Sequence, residues 1–162
     1  MINPERSSGH LQGEFSVFLI GMRVNRLWKF HKWVPVISAM TRMIKELRTT
    51  PDAGLLSYEM WLGRTTLMVQ YWRSSAQLLA YAKNQDAAHY PAWRAFNQSL
   101  GTNGDVGIWH ETYLIHPGAF EAIYVNMPAF GLGRAGELLP ATGSRATAAS
   151  RLDAAIIKQE VD

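Results

Sequence analysis

Apolar residues alternate with polar ones, or bunch into short runs, over most of the first 125 positions. Residues 14–25, Glu-Phe-Ser-Val-Phe-Leu-Ile-Gly-Met-Arg-Val-Asn, are rich in β-formers and predict a strand buried on both faces. Val36, Ile37, Met40, Met43, Ile44 and Leu47 then recur at helical spacing. With Pro35 in the first turn, they predict an amphipathic helix over 35–48. Pro51, Asp52 and Gly54 end it. Strands are expected at 55–62 and 65–72, joined by a hairpin at Gly63-Arg64. Ser74 or Ser75 caps a helix through Lys83 that buries Leu78, Leu79 and Ala82. Asp86 caps a further helix over 87–100, its start delayed by Pro91. Long strand character returns at 106–116 and again at 120–125.

The order β-α-β-β-α-β, with one extra helix and strand, is the ferredoxin-like split βαβ pattern of an α+β protein. Three spans follow: a loose leader at 1–13, the α+β domain at 14–126, and a Gly/Ala/Pro-rich tail at 127–162 that wraps or frays. A short helix is expected at 146–159. Helices on one side of such a sheet leave its other face bare. The two alternating sets of the third strand are Leu67, Val69 and Tyr71, or Thr66, Met68, Gln70 and Trp72. Both suit water poorly, so a second subunit is expected over one of them, making a homodimer.

Composition narrows the chemistry. The 162 residues, 48% hydrophobic, suit one domain with its own core. There are no cysteines, so disulfides, thiolate nucleophiles and iron–sulfur clusters are excluded. No apolar run reaches the length of a membrane span, and residues 1–13 lack the apolar core of a signal peptide, which predicts a cytoplasmic protein without a membrane partner. The net charge is +3. Arg23, Arg26, Lys29, Lys32, Arg42, Lys45 and Arg48 share their stretch with Glu46 as the lone acid. No nucleic-acid motif accompanies them, so they read as a solvated helix face and strand ends, with no nucleic-acid partner.

Two constellations can carry chemistry. His89, Trp93, Phe96 and Leu100 fall on one helical stripe that would face the sheet. A titratable imidazole there suits an acid, a base or a haem ligand; a core histidine bonded to backbone is the other reading. In Trp109-His110-Glu111-Thr112-Tyr113, His110 shares one strand face with Thr112, and Glu111 shares the other with Trp109 and Tyr113. A carboxyl between two aromatics is expected to be partly buried with a raised pKa, or else paired with Arg64 or Arg73. Gly131-Leu-Gly133-Arg-Ala-Gly136 matches G-x-G-x-x-G, yet it follows no early βαβ unit and opens no long helix, so a dinucleotide site is not expected.

The strings Phe18-Leu-Ile-Gly-Met-Arg-Val-Asn25, Tyr71-Trp-Arg-Ser74, His89 with Trp93, Gly107-Ile-Trp-His-Glu-Thr-Tyr113, Tyr124-Val-Asn-Met-Pro128 and Gly131-Leu-Gly133 resemble one family. It is the monooxygenase-like family that includes the fumagillin-pathway polyketide monooxygenase, of the dimeric α/β-barrel superfamily. The likeness spans roughly residues 14–145. It implies oxidation of a small hydrophobic or aromatic, polyketide-like substrate by O2. Some superfamily members do this without a cofactor, the substrate carbanion supplying the electrons and the protein a base and a dry pocket. The catalytic candidates are then His89, Glu111 and His110. Trp72, Trp93, Phe96, Tyr113 and Asn25 are the substrate-contacting candidates. Haem-degrading relatives instead ligate haem through a histidine after a Trp-bearing third strand, an order that Trp72 and His89 resemble. Their first-strand asparagine is matched only by Asn25 at the strand's end. No resident cofactor is therefore expected, haem through His89 is the alternative, and a non-enzymatic small-molecule-binding dimer is the third reading.

Overall fold

A computed structural model describes residues 2–87, 90, 91, 94 and 104–152. Its strands are β1 (Ser7–His10), β2 (Phe15–Val24), β3 (Leu55–Trp61), β4 (Leu67–Trp72), β5 (Val106–Ile115), β6 (Ile123–Tyr124) and β7 (Glu137–Pro140). The longer helices are α1 (Phe30–Thr49) and α2 (Ser75–Lys83). Strands β2 to β5 form one antiparallel sheet in the order β3-β4-β2-β5, which is the ferredoxin-like arrangement expected from the sequence.

Register assigns every side chain to a face, because alternate residues of a strand point opposite ways. Phe18 and Ile20 of β2 and Met68 and Trp72 of β4 pack with Met43, Ile44 and Leu47 of α1 and Leu78 of α2. That is the core. Trp72 is 1% exposed, its Nε1 donates to Gln70 Oε1 at 2.9 Å, and its ring lies 5.7 Å from that of Tyr81. Burying such a side chain stabilises by roughly 2–3 kcal/mol. Ser74 Oγ accepts from the Gln77 N–H and starts α2, as its sequence predicts. Only Leu78 of α2 is buried; Leu79 and Ala82 face outward, because so short a helix meets the sheet along one narrow line.

Helix α1 begins five residues before the expected start, and Pro35 lies inside it. A proline this near the N-terminus removes a single helical N–H bond. The first turns are held from elsewhere. Trp33 Nε1 donates to Leu27 O at 3.0 Å, and Trp33 and Val36 pack on Met22, Val24 and Val106.

The leader is also structured where the sequence predicts looseness. Strand β1 lies between β6 and β7 in a second, three-stranded sheet, with Ser7 and Ser8 buried. Neither end of the chain has the apolar alternation that announces a strand, so only tertiary pairing reveals it. Of the expected strand at 120–125, two residues pair. Of the expected helix at 146–159, Ala148–Arg151 is formed, capped by Thr147, and positions beyond 152 lie outside the described residues. Among the described residues no helix is long and apolar enough to cross a membrane.

Candidate functional site

Rows of residues run across the sheet by register. On the helix side, Met60, Met68, Ile20 and His110 form one row, and Tyr58, Gln70, Phe18 and Thr112 the next. Helix α1 roofs the β3–β4 end of these rows and leaves a cavity of about 230 Å³. Met22, Met40, Met60 and Met68 line it with Ile37, Ile44, Tyr58 and Leu62. Four of the chain's seven methionines thus surround one space. Methionine is unbranched and polarisable, and adapts to irregular apolar occupants. The β5 end is uncovered among the described residues. Ile108, His110, Thr112 and Leu114 are exposed there. His110 lies two strands from Met68, about 10 Å away, and its ring is 5.8 Å from that of Phe18. Among the described residues the helix side therefore offers an apolar floor with the His110 imidazole at its edge.

The opposite face carries Glu59, Val69, Leu19 and Glu111 in one row, and Ser57, Tyr71, Val17 and Tyr113 in another. Glu111 is exposed in the single chain, which corrects the expected burial. Among the described residues nothing packs over Glu111 on this side. Its neighbours also part. The Tyr113 hydroxyl donates to Glu111 Oε2 at 2.6 Å, while Trp109 lies over Gly21 with its Nε1 buried and without an acceptor among the described residues. No arginine pairs with Glu111; Arg64 donates instead to Val24 O and Asn25 O. A Cβ at Gly21 would meet the Thr66 carbonyl and sit 2.7 Å from the Trp109 nitrogen, so only glycine fits.

At the far end of this face, Glu59 Oε1 accepts from the Gly131 N–H at 3.2 Å and from Arg134 at 3.1 Å. The Tyr71 hydroxyl accepts from the Leu132 N–H and that of Tyr124 from the Gly133 N–H. The G-x-G-x-x-G glycines serve this docking. Gly131 has φ +52° against Tyr71, and a Cβ at Gly136 would strike His10 O. Burial pushes the Tyr71 and Tyr124 phenols up, aided by Glu59, and Glu111 pushes Tyr113 up through its hydrogen bond. Tyr81 is raised by burial and by its bond to Glu46. Phenols raised in this way stay protonated at neutral pH and do not serve as bases.

The candidates named from the sequence divide accordingly. Trp72 is sealed in the core. His110 stands on the helix side, and Glu111 and Tyr113 on the other. Asn25 is tied down as well: its Nδ2 donates to Gly104 O at 3.0 Å and its N–H to Asp105 O at 3.0 Å. Trp72 pairs with Ser16, nine positions from Asn25 along β2, so the two stand roughly 30 Å apart and share no pocket. His89, Trp93 and Phe96 lie outside the described residues. The methionine-lined cavity and the Tyr71–Glu59–Arg134 cluster escaped the sequence reading, because each joins residues far apart in the chain. The high methionine count was the one available signal. Among the described residues no three His, Asp or Glu side chains are grouped to hold a metal ion.

Three comparisons bear on this arrangement. The profile of the Monooxygenase af470-like family matches residues 15–132, from the start of β2 to the first residues of the tail's docking segment. The protein named Monooxygenase af470, from Aspergillus fumigatus, is 30% identical over 132 residues, covering 76% of this chain and 46% of that protein. This chain thus spans under half of that relative's length. Among solved structures, a crystal structure of aldoxime dehydratase in complex with butyraldoxime aligns with a TM-score of 0.67 and 12% identity. The alignment covers 83% of this chain and 39% of that one, and at such identity the likeness speaks for the fold alone.

Proposed function

Because the chain belongs to the Monooxygenase af470-like family, we propose that it oxygenates a small hydrophobic or aromatic, polyketide-like phenol with O2 on the helix side of its sheet. The observation that carries this reading is the apolar floor of Phe18 and Ile20, running from the methionine-lined cavity to the imidazole of His110. A flat aromatic ring lies on such a floor with little desolvation cost, and O2 partitions into apolar space. His110 removes the phenol proton, and the resulting carbanion gives its electrons to O2. A C–O bond forms, and loss of water leaves a quinone. Phenol plus O2 equals quinone plus water, so no outside reductant is consumed. The protein supplies the base and excludes water. His89 belongs to this proposal as a second acid/base group.

The haem alternative fits less well. Trp72 and Asn25, which it would set beside one haem, stand at opposite ends of the sheet. Adding haemin and finding a Soret band that His89→Ala abolishes would restore it. The homodimer is part of the same proposal. Val17, Leu19, Leu67 and Val69 stay half-exposed on the open face, and a second copy would cover them and close the two sheets into a barrel. Such an interface buries upwards of about 2,000 Å². The functional test is an oxygen electrode with hydroxylated naphthalenes and anthrones. Equimolar O2 uptake and quinone formation, without released peroxide, is the expected result. Binding of these phenols with no O2 uptake would leave the small-molecule-binding reading in its place.

A further inference from the structure

The connector before α1 and its first turns carry Leu27, Trp28, Phe30, Val34 and Ile37 on the outside of the molecule. Trp28 is 73% exposed and Phe30 65%. The tip of the β3–β4 hairpin adds Leu62, 73% exposed. The two loops are neighbours. Arg64 of the hairpin donates to Val24 O and Asn25 O, just before the connector, and Leu62 and Ile37 line one cavity. Of the aromatic rings at 26–33, Trp28 and Phe30 face outward while Trp33 packs inward on Met22, Val24 and Val106.

Cations flank this apolar ridge. Arg23, Arg26, Lys29, Lys32 and Arg64 lie in the same strand end, connector and hairpin, and among the described residues Asp105 is the acid paired with them, bridging Arg26 at 3.0 Å and Lys29 at 2.8 Å. Arg42 and Lys45 extend the positive charge along α1, both exposed. Large aromatics between excess cations are the pattern of a segment that lies in a bilayer interface, with rings at the headgroup level and cations against anionic lipid. The ridge also surrounds a mouth. Ile37, Met60 and Leu62 belong to the cavity wall and are themselves exposed, so the apolar cavity opens within it.

We propose that this ridge docks the protein on an anionic membrane surface, Trp28, Phe30 and Leu62 entering the interface and the cations contacting lipid phosphates and carboxylates. The charge complementarity selects this occupant: an acidic headgroup layer matches a broad positive rim around a small apolar tip, with no further shape to fit. Docking leaves the cavity mouth facing the layer in which hydrophobic molecules dissolve. The inference stands on the ridge alone, does not depend on the oxygenase reading, and departs from the expected lack of a membrane partner, which rested only on the absence of a spanning segment.

The test is co-sedimentation of the full chain with phosphatidylcholine vesicles, with and without about a quarter phosphatidylserine. Binding is expected to need phosphatidylserine and to weaken as salt rises from about 0.05 to about 0.5 M. Trp28→Ser with Phe30→Ser should weaken it at least ~10-fold, and Arg23→Glu with Lys32→Glu likewise, each with an unchanged melting curve because these side chains are not in the core. No binding, equal binding to neutral vesicles, or equal binding by the Trp28→Ser, Phe30→Ser protein overturns the proposal. So does light scattering in which that same double substitution splits an oligomer, for the ridge would then belong to a second copy.

Discussion

The two faces of the four-stranded sheet are made from alternate residues of the same strands, and they differ in almost every respect. The helix side is apolar from Met60 to Ile20, packed by α1 and α2 over β4 and β2, and ends at His110 on a strand left uncovered among the described residues. The other side sets a carboxylate at each end of a row, Glu59 and Glu111, with protonated phenols beside them. As proposed, one side holds a hydrophobic molecule beside the His110 imidazole. The other is built to dock chain, first its own tail through Gly131 and Arg134 and, as proposed, a second copy. Parity along β5 therefore separates the faces: one step from His110 to Glu111 crosses from the proposed reaction side to the docking side.

The sharpest stability contrast is between Trp72 and Tyr113. Trp72→Ala should cost about 3–5 kcal/mol, by removing a sealed indole and leaving the Gln70 carboxamide without its donor. Tyr113→Phe, which deletes one exposed hydrogen bond, should cost under about 1 kcal/mol. Urea unfolding of both variants measures the pair, and comparable losses would break the distinction between a closed and an open face. Next in size is Gly21→Ala. The new methyl would push on the Thr66 carbonyl and the Trp109 ring, destabilising by about 1–3 kcal/mol, again read from the urea midpoint. A neutral result would mean that Trp109 turns freely off the sheet.

A smaller and pH-dependent effect belongs to Asp105, which joins the start of α1 to the root of β5. The hydrogen bond and charge of Lys29, with Arg26 beside it, hold its carboxyl below the ordinary value of 3.8. Folding therefore favours the ionised form. The resulting stability is fully present above the ordinary value and is lost as pH falls through the lowered one. Asp105→Asn should melt below the parent at neutral pH, and the gap should close in acid. Thermal melts over a pH series test this; a gap that widens in acid would reverse the sign.

The sheet was legible in the sequence because its strands bury one or both faces. The runs at 14–25, 55–62 and 65–72 and the cap at Ser74 need only local pattern to be read. The parity that separates His110 from Glu111 is equally local. Strand β1 was not legible, since Ser7, Ser8 and Gly9 have no apolar alternation and gain their order from β6 and β7. The start of α1 was hidden behind Pro35 and is fixed by the distant contacts of Trp33. The site was legible residue by residue but not as a constellation. Nothing in the spacing of Trp72 and Asn25 reveals that the sheet holds them at opposite ends, nor that a glycine at 131 will meet a tyrosine at 71.

The central claim is that chemistry belongs to the helix side of the sheet. The direct test is O2 uptake with a turned-over phenol, comparing His110→Ala with Glu111→Gln at matched folded concentrations. The account predicts that His110→Ala slows turnover by about 10²-fold or more, the worth of a positioned base, while Glu111→Gln stays within about threefold of the parent, as expected of a group outside the chemistry. The reverse outcome, an intact His110→Ala and a dead but folded Glu111→Gln, would place the reaction on the open face and contradict it.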